Sequence, residues 1–212
     1  VDAGLFKKIS GARSMKKVRI RWMCQKDIKP ILEIQNSGDF SPKWSREDYL
    51  GVLKGRRDPK SLYCISYVCE LDKVIIGYIV YHVFALGKEL YDSQIGFHPM
   101  VPPMCGEVVN FCIHKDFRKQ GYGTLLFNFL LDKFSNVVDF SKGNPQSRPF
   151  LLQVTTSEKD IVPHLFLSKF GFLAKSISRD LYGNSHDGYN FVYDRLGIDI
   201  QNLKCPSERS LA

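Results

Sequence analysis

The residues best placed to do chemistry run Ile113-His-Lys-Asp-Phe-Arg118-Lys119-Gln120-Gly121-Tyr122-Gly123-Thr124. A β-branched, apolar run ends at Ile113, and a strongly periodic helix begins near Gly121. Arg118 and Lys119 precede that helix with no acid after Asp116, the reverse of the preference for Asp and Glu at the positive end of a helix dipole. Cations tolerated there imply that the negative charge comes from a ligand. Gly121 and Gly123 lack the Cβ that would keep an anion away from backbone N–H groups, and the helix N-terminus adds about half a positive charge. A plain glycine-containing turn is the bland alternative. Strand, cations and helix together favour an anion site.

The common phosphate motifs do not fit. No Gly-Lys-Ser/Thr follows a glycine at the nucleotide-loop spacing, and Leu126 occupies the third glycine position of the dinucleotide fingerprint. What remains is Arg-x-x-Gly-x-Gly after a strand.

The elements that must position this turn read as follows. Val18–Trp22 alternates as a half-buried strand, and Asp27 is expected to cap a short helix carrying Ile28, Ile31, Leu32 and Ile34. Ser45 with Asp48 three positions on signals a capped helix through Leu53, ended by the cluster from Gly55 to Pro59. Strands over Tyr63–Glu70 and Val74–Phe84 meet at the tight turn Asp72-Lys73. The proline-bearing segment Ala85–Gly106 fits no regular element and is expected to border and narrow the functional slot, since loops this long are usually functional or mobile. Glu107–Ile113 reads as a strand. Tyr122, Leu125, Leu126, Phe129 and Leu130 form one face of a helix reaching Phe134, followed by a polar loop at Asn136–Pro149. A strand over Phe150–Val154, a helix over Ile161–Phe170 stopped by Gly171, and a hairpin of Phe172–Arg179 with Tyr189–Asp194 complete the order. Helices interspersed among hairpins predict an α/β fold with a mixed sheet, not a doubly wound parallel one.

Composition narrows the class. The 212 residues suit one domain, and 44% hydrophobic with 13% aromatic content excludes a disordered chain. The longest apolar stretch, Val74 to Leu86, is broken by Gly77 and falls short of the ~20 residues a spanning helix needs. Six cysteines without a CxxC pair read as buried free thiols in a reducing compartment, with neither disulfides nor a metal site, which predicts a cytoplasmic address. Residues 1–14, ahead of Met15, read as a cloning remnant; without them the net charge falls from +8 to +6. That field suits an anionic small molecule and gives no sign of nucleic-acid or membrane binding. The domain is expected over 15–196, with a tail at 197–212.

Arg118-Lys-Gln-Gly121-Tyr-Gly123 resembles the pyrophosphate loop of the GNAT superfamily of acyl-CoA-dependent N-acyltransferases. The resemblance covers nearly all of residues 15–195. Ile20-Arg-Trp-Met-Cys-Gln-Lys-Asp27 is similar to the family's first strand and helix, Asp72-Lys-Val-Ile-Ile-Gly77-Tyr to its hairpin, and Lys169-Phe-Gly171-Phe172 to its late helix-to-strand turn. It implies a GNAT-like fold, a central twisted mixed sheet flanked by helices, with acetyl-CoA as cosubstrate and a primary amine as acceptor. By the same resemblance the backbone of Phe111, Cys112 and Ile113 pairs with the pantetheine arm. The N–H groups of Lys119, Gln120, Gly121, Tyr122, Gly123 and Thr124, with the Arg118 side chain, hold the pyrophosphate. Glu107 stands where lysine-acetylating members carry a general base, although it could simply start its strand.

Two departures follow. Counting back from Gly171, the tyrosine that protonates the leaving sulfur in many members is Leu167, and the asparagine before it is Asp160. Tyr182 or Tyr189 on the last hairpin is left to substitute, with Glu107 and Tyr182 the catalytic candidates; His164 reads as a helix-surface residue. The missing acid is not fatal: with a thiol pKa of ~8.5, expelling thiolate at pH 7 costs about 2 kcal/mol. Deprotonating an α-amine costs about 1 kcal/mol and a lysine about 4.6 kcal/mol, so with one base the α-amine is the easier acceptor. Phe40-Ser-Pro-Lys-Trp44-Ser45-Arg-Glu47 and Arg179-Asp-Leu-Tyr182…Asp187-Gly188 resemble segments of ribosomal-protein alanine and protein N-terminal acetyltransferases. The alternatives are a lysine, polyamine or small-molecule amine acetyltransferase, or a catalytically silent acetyl-CoA-binding module. A monomer or weak homodimer is expected.

Overall fold

The computed structural model describes residues 17–38, 43–55, 63–85, 104–137, 150–183 and 186–194. Its elements run β1 (Val18–Trp22), α1 (Ile28–Asn36), α2 (Arg46–Lys54), β2 (Tyr63–Leu71), β3 (Val74–Ala85), β4 (Met104–Ile113), α3 (Tyr122–Val137), β5 (Phe150–Ser157), α4 (Ile161–Lys169), β6 (Leu173–Ser178) and β7 (Gly188–Asp194). The strands form one sheet in the order β1-β2-β3-β4-β5-β7-β6. Every pairing is antiparallel except β4 with β5, so the mixed sheet expected from the sequence is present.

Two apolar layers cover the sheet. Ile28, Ile31 and Ile34 of α1 and Tyr49 and Val52 of α2 pack on Val68, Tyr78, Val80 and Cys112. Leu126, Phe127 and Leu130 of α3 and Leu167 of α4 pack on the opposite face, against Ile79, Tyr81, Val108 and Leu152. The alternation of strand side chains dictates this division. The Asp72-Lys73 turn has both residues at positive φ, 48° and 73°, the geometry that matches strand twist in a two-residue hairpin. Ser45 caps α2 through reciprocal bonds with Asp48, as its spacing predicts.

Three local expectations change. Asp27 stands at the N-cap of α1 as expected, but its side chain makes no capping bond to the helix. Arg21 of β1 grips its carboxylate through both Nη atoms, at 2.6 and 2.9 Å, and the Cys24 N–H donates to it at 2.9 Å. Burial alone would push this carboxyl up; the bonds from Arg21 and Cys24 outweigh it and hold Asp27 below the usual carboxylate range. The α3 stripe is rotated: Leu125 is 44% exposed, while Phe127 is buried against Phe111, Phe166, Phe170 and Phe172. Phe127, absent from the expected stripe, fills the aromatic nest between α3 and α4. Finally, Met104–Gly106 belong to β4, because partners on β3 and β5 flank them on both sides. Residues 86–103 of that segment, 1–14 and 197–212 lie outside the described residues.

Gly77 marks where β3 and β4 come closest. A Cβ there would stand 2.4 Å from Ile113 Cδ1 and 2.9 Å from the Cys112 carbonyl oxygen. Gly77→Ala is therefore expected to cost about 2 kcal/mol of stability, an overpacking penalty read out by urea denaturation, with the loss concentrated at the end of β4 that leads into the glycine turn.

Candidate active site at the divergence of β4 and β5

The parallel ladder between β4 and β5 runs from Met104↔Phe150 to Val108↔Val154 and stops. β4 continues along β3 to Ile113, and β5 continues along β7 to Ser157. Between them the sheet opens. The direction of the backbone groups at the opening follows from antiparallel alternation. The His114 N–H donates to the Ile76 carbonyl at 2.8 Å, so Cys112 is in a hydrogen-bonded pair with Tyr78, and the N–H and C=O of Phe111 and Ile113 turn away from β3 into the gap. On the other bank the Glu158 N–H donates to the Asp187 carbonyl at 3.0 Å, which turns Thr155 and Ser157 towards the gap. Of the three residues expected to pair with a pantetheine arm, Phe111 and Ile113 face the opening and Cys112 faces β3.

The two banks are treated differently. Tyr182 Oη donates to the Thr155 carbonyl at 3.3 Å, and His164 Nε2 reaches the Ser157 carbonyl at 3.0 Å. On β4, Arg118 Nε donates to the Ile113 carbonyl at 3.0 Å. Among the described residues no side chain caps Phe111. A buried backbone group without a partner is costly, so the β4 bank is the edge left for an extended, amide-bearing ligand to complete.

That bank leads into the start of α3. Lys119 at φ 58° and Gly121 at φ 87° wind the chain into the helix, and Gln120 Nε2 donates to the Asp116 carbonyl at 2.8 Å to brace the turn. The first helical bond is Leu125 N–H to the Gly121 carbonyl at 2.9 Å. The N–H groups of Tyr122, Gly123 and Thr124 precede it and carry the positive end of the helix dipole. Lys119 adds its charge to the same turn.

Glu107 is half-buried one rung before the divergence, level with His82 on β3 and Gln153 on β5. Burial pulls His82 below its usual range, so it faces Glu107 as a neutral ring. Tyr182 comes to the gap on the β6–β7 connection, its phenol pushed up to about 12 by burial and by the charge of Asp160. Full proton transfer from such a phenol to a thiolate of pKa ~8.5 is uphill by about 5 kcal/mol, so this hydroxyl acts as a hydrogen-bond donor. Tyr189 packs against His164, at 5.4 Å between ring centres. Leu167, at the position of the family's tyrosine, is 2% exposed in the core. His164 is half-buried between Tyr189 and Phe191 with its Nε2 on β5, so it secures the strand and is not a surface residue. Nothing in its sequence context announces this, nor the inward turn of Asn110, which lies two residues past the last rung. Burial lifts the Cys112 thiol to about 12, too high for a nucleophile. The described residues contain no cluster of three metal-ligating side chains.

Residues 26–153 match the family model described as the acetyltransferase (GNAT) family. The chain belongs to that family. This GNAT chain is therefore an N-acetyltransferase with acetyl-CoA as its cosubstrate. Comparison with curated proteins returns no match. Among solved structures, the Escherichia coli ribosomal-protein-S18-alanine N-acetyltransferase is 11% identical, with 89% of this GNAT chain and 100% of that one covered at a TM-score of 0.61. Arabidopsis thaliana NAA60 in complex with a bisubstrate analogue is 17% identical over 84% and 98% at 0.59. Chaetomium thermophilum Naa20 in complex with a bisubstrate analogue is 18% identical over 83% and 86% at 0.60. At these identities the likeness is one of fold.

The two glycines of the turn should behave differently. Gly121 sits at φ 87° with open space around it, whereas a Cβ on Gly123 would make ordinary contacts of 3.6 and 3.7 Å with Phe111, Ile113 and Phe166. Gly121→Ala is expected to weaken coenzyme A binding about tenfold, as 1–2 kcal/mol of left-handed strain reshapes the turn, while Gly123→Ala stays near the parent; isothermal titration with coenzyme A distinguishes them.

Proposed function

We propose that this GNAT chain acetylates the α-amine of a protein N-terminus, with the uncapped β4 edge leading into the α3 helix start as the observation that carries the reading. Acetyl-CoA lays its amide-bearing arm along Phe111 and Ile113 and its diphosphate on the N–H groups from Lys119 to Thr124. The thioester then lies at the closed end of the gap, one rung from Glu107. Strand N–H groups steady the developing oxyanion. The amine nitrogen bonds to the carbonyl carbon as the carbon–sulfur bond breaks. Glu107 takes the amine's proton directly or through one water, and the sulfur leaves as thiolate with solvent supplying its proton and the Tyr182 hydroxyl turning its one hydrogen from the Thr155 carbonyl to the sulfur.

The acceptor follows from charge economy. Glu107 is the one carboxylate level with the end of the ladder among the described residues, and a single base meets an α-amine far more readily than a lysine. The S18-alanine enzyme is named for an alanine of a ribosomal protein, and its fold, like those of NAA60 and Naa20, covers most of this chain. That supports a protein N-terminus as acceptor.

Thiol release from acetyl-CoA decides between acceptors. Peptides with a free α-amine are expected to release coenzyme A and Nα-blocked lysine peptides to release none; the opposite pattern overturns the acceptor assignment, and binding without release on any amine points to a silent binding module. Glu107→Gln is expected to lower kcat/KM about 100-fold with the acid limb of its pH profile lost, the scale of a missing general base. An unchanged profile removes Glu107 from the chemistry.

A further inference from the structure

Three buried polar side chains and the half-buried Asn110 link the divergence of β4 and β5 to the start of α2 through the apolar layer under α1 and α2. Asn110 Oδ1 accepts from Tyr78 Oη at 3.1 Å, and Asn110 Nδ2 reaches Tyr49 Oη at 3.4 Å. The two tyrosine hydroxyls are 2.9 Å apart, and Tyr49 Oη is 3.0 Å from Gln35 Oε1. Gln35 spends both ends of its amide on one residue: Oε1 accepts from the Trp44 N–H at 3.0 Å and Nε2 donates to the Trp44 carbonyl at 2.9 Å. Tyr49 and Tyr78 are fully buried and Gln35 is 2% exposed. Their rings meet edge to face at 5.8 Å, and Trp44 tilts over Tyr49 at 5.3 Å.

Phenylalanines and a leucine would fill this volume without needing any partner, and buried polar groups are tolerable only when satisfied. The polar choice therefore calls for something that packing does not supply. Its geometry supplies a connection. Trp44 opens the turn into α2, within the Phe40–Glu47 segment, and Asn110 immediately precedes Phe111, whose N–H and C=O form the open bank. Gln35 reproduces on Trp44 the two-point bond of a strand pair, so the turn is fixed to α1; Tyr49 and Tyr78 carry that fix through the core to β4. Burial keeps both phenols protonated across the working pH range, with Tyr49 pushed up to about 12 and Tyr78 further in the same direction.

We propose that Gln35, Tyr49, Tyr78 and Asn110 are positioning residues that lock the Trp44 turn to the thioester-bearing edge of β4, so that acceptor and acetyl group are held in one frame. The proposal rests on the function proposed above and takes the acceptor to enter beside Trp44, where Lys43, Trp44, Glu47 and Asp48 line an open cavity. Gln35, Tyr49 and Tyr78 lie off the route assigned to acetyl-CoA, and Asn110 stands beside it on β4. Cutting the network therefore loosens the acceptor and leaves the cosubstrate in place.

Tyr78→Phe and Gln35→Leu test this, since both keep the packing volume. In each, acceptor KM is expected to rise about tenfold, within the range of ordinary site-to-site coupling, while the coenzyme A Kd by calorimetry stays within about twofold. Independently of turnover, the Trp44 amide is expected to exchange with deuterium about tenfold faster in Tyr78→Phe, although Tyr78 is not a partner of Trp44, while β1 amides keep the parent rate. An acceptor KM unchanged in a folded variant, or a coenzyme A Kd that moves with it, overturns the proposal. If the parent protein turns over no N-terminal peptide, it is the acceptor assignment that fails. The exchange measurement then decides the network alone, and an unchanged Trp44 rate rejects it.

Discussion

The obligation to satisfy backbone polar groups at an opened sheet edge governs this molecule. Where β4 and β5 part, each strand loses a neighbour and exposes N–H and C=O groups inside the protein. The chain answers unequally. Tyr182 and His164 close the β5 bank, whereas on β4 the cap stands at Ile113 and no described side chain caps Phe111. In the proposed reading, this asymmetry admits an extended cosubstrate and selects the strand it joins.

The electrostatics of the same region follow from its neighbours. Arg118 and Lys119 crowd a helix start that lacks acidic residues, and the ligand's negative charge completes the arrangement. Leu167 lies in the core where the family places its acid, so the proposed reaction leaves protonation of the sulfur to solvent, at a cost that thiolate stability keeps small. Tyr182, lifted by burial and by Asp160, retains its proton and contributes direction instead.

Elements with local signatures were legible in the sequence: the Asp72-Lys73 hairpin, the Ser45–Asp48 capping box, the α1 stripe and the glycine turn after Ile113 each follow from spacing within a few residues. The opening itself was not, because the length of a ladder between strands some forty residues apart is set by what else each strand pairs with. Asp27 occupies the N-cap its type predicts, but its carboxylate is taken by Arg21 and Cys24, partners that spacing does not reveal. The rotation that exposes Leu125 and buries Phe127 depends on the ring nest supplied by Phe111, Phe166, Phe170 and Phe172, three of them far along the chain. Asn110 and His164 matter through groups that only folding brings to them.

The bond from Arg118 to the Ile113 carbonyl also makes the site a gauge of length. It closes the strand edge at its far end, just as the last rung at Val108 closes it at the near end. The interval from Val108 to Ile113 spans about 16 Å at strand rise. In the proposed reading, a molecule anchored by its charge at the helix start needs a tether of that reach to bring its reactive end level with Glu107, so that span would select the cosubstrate alongside charge.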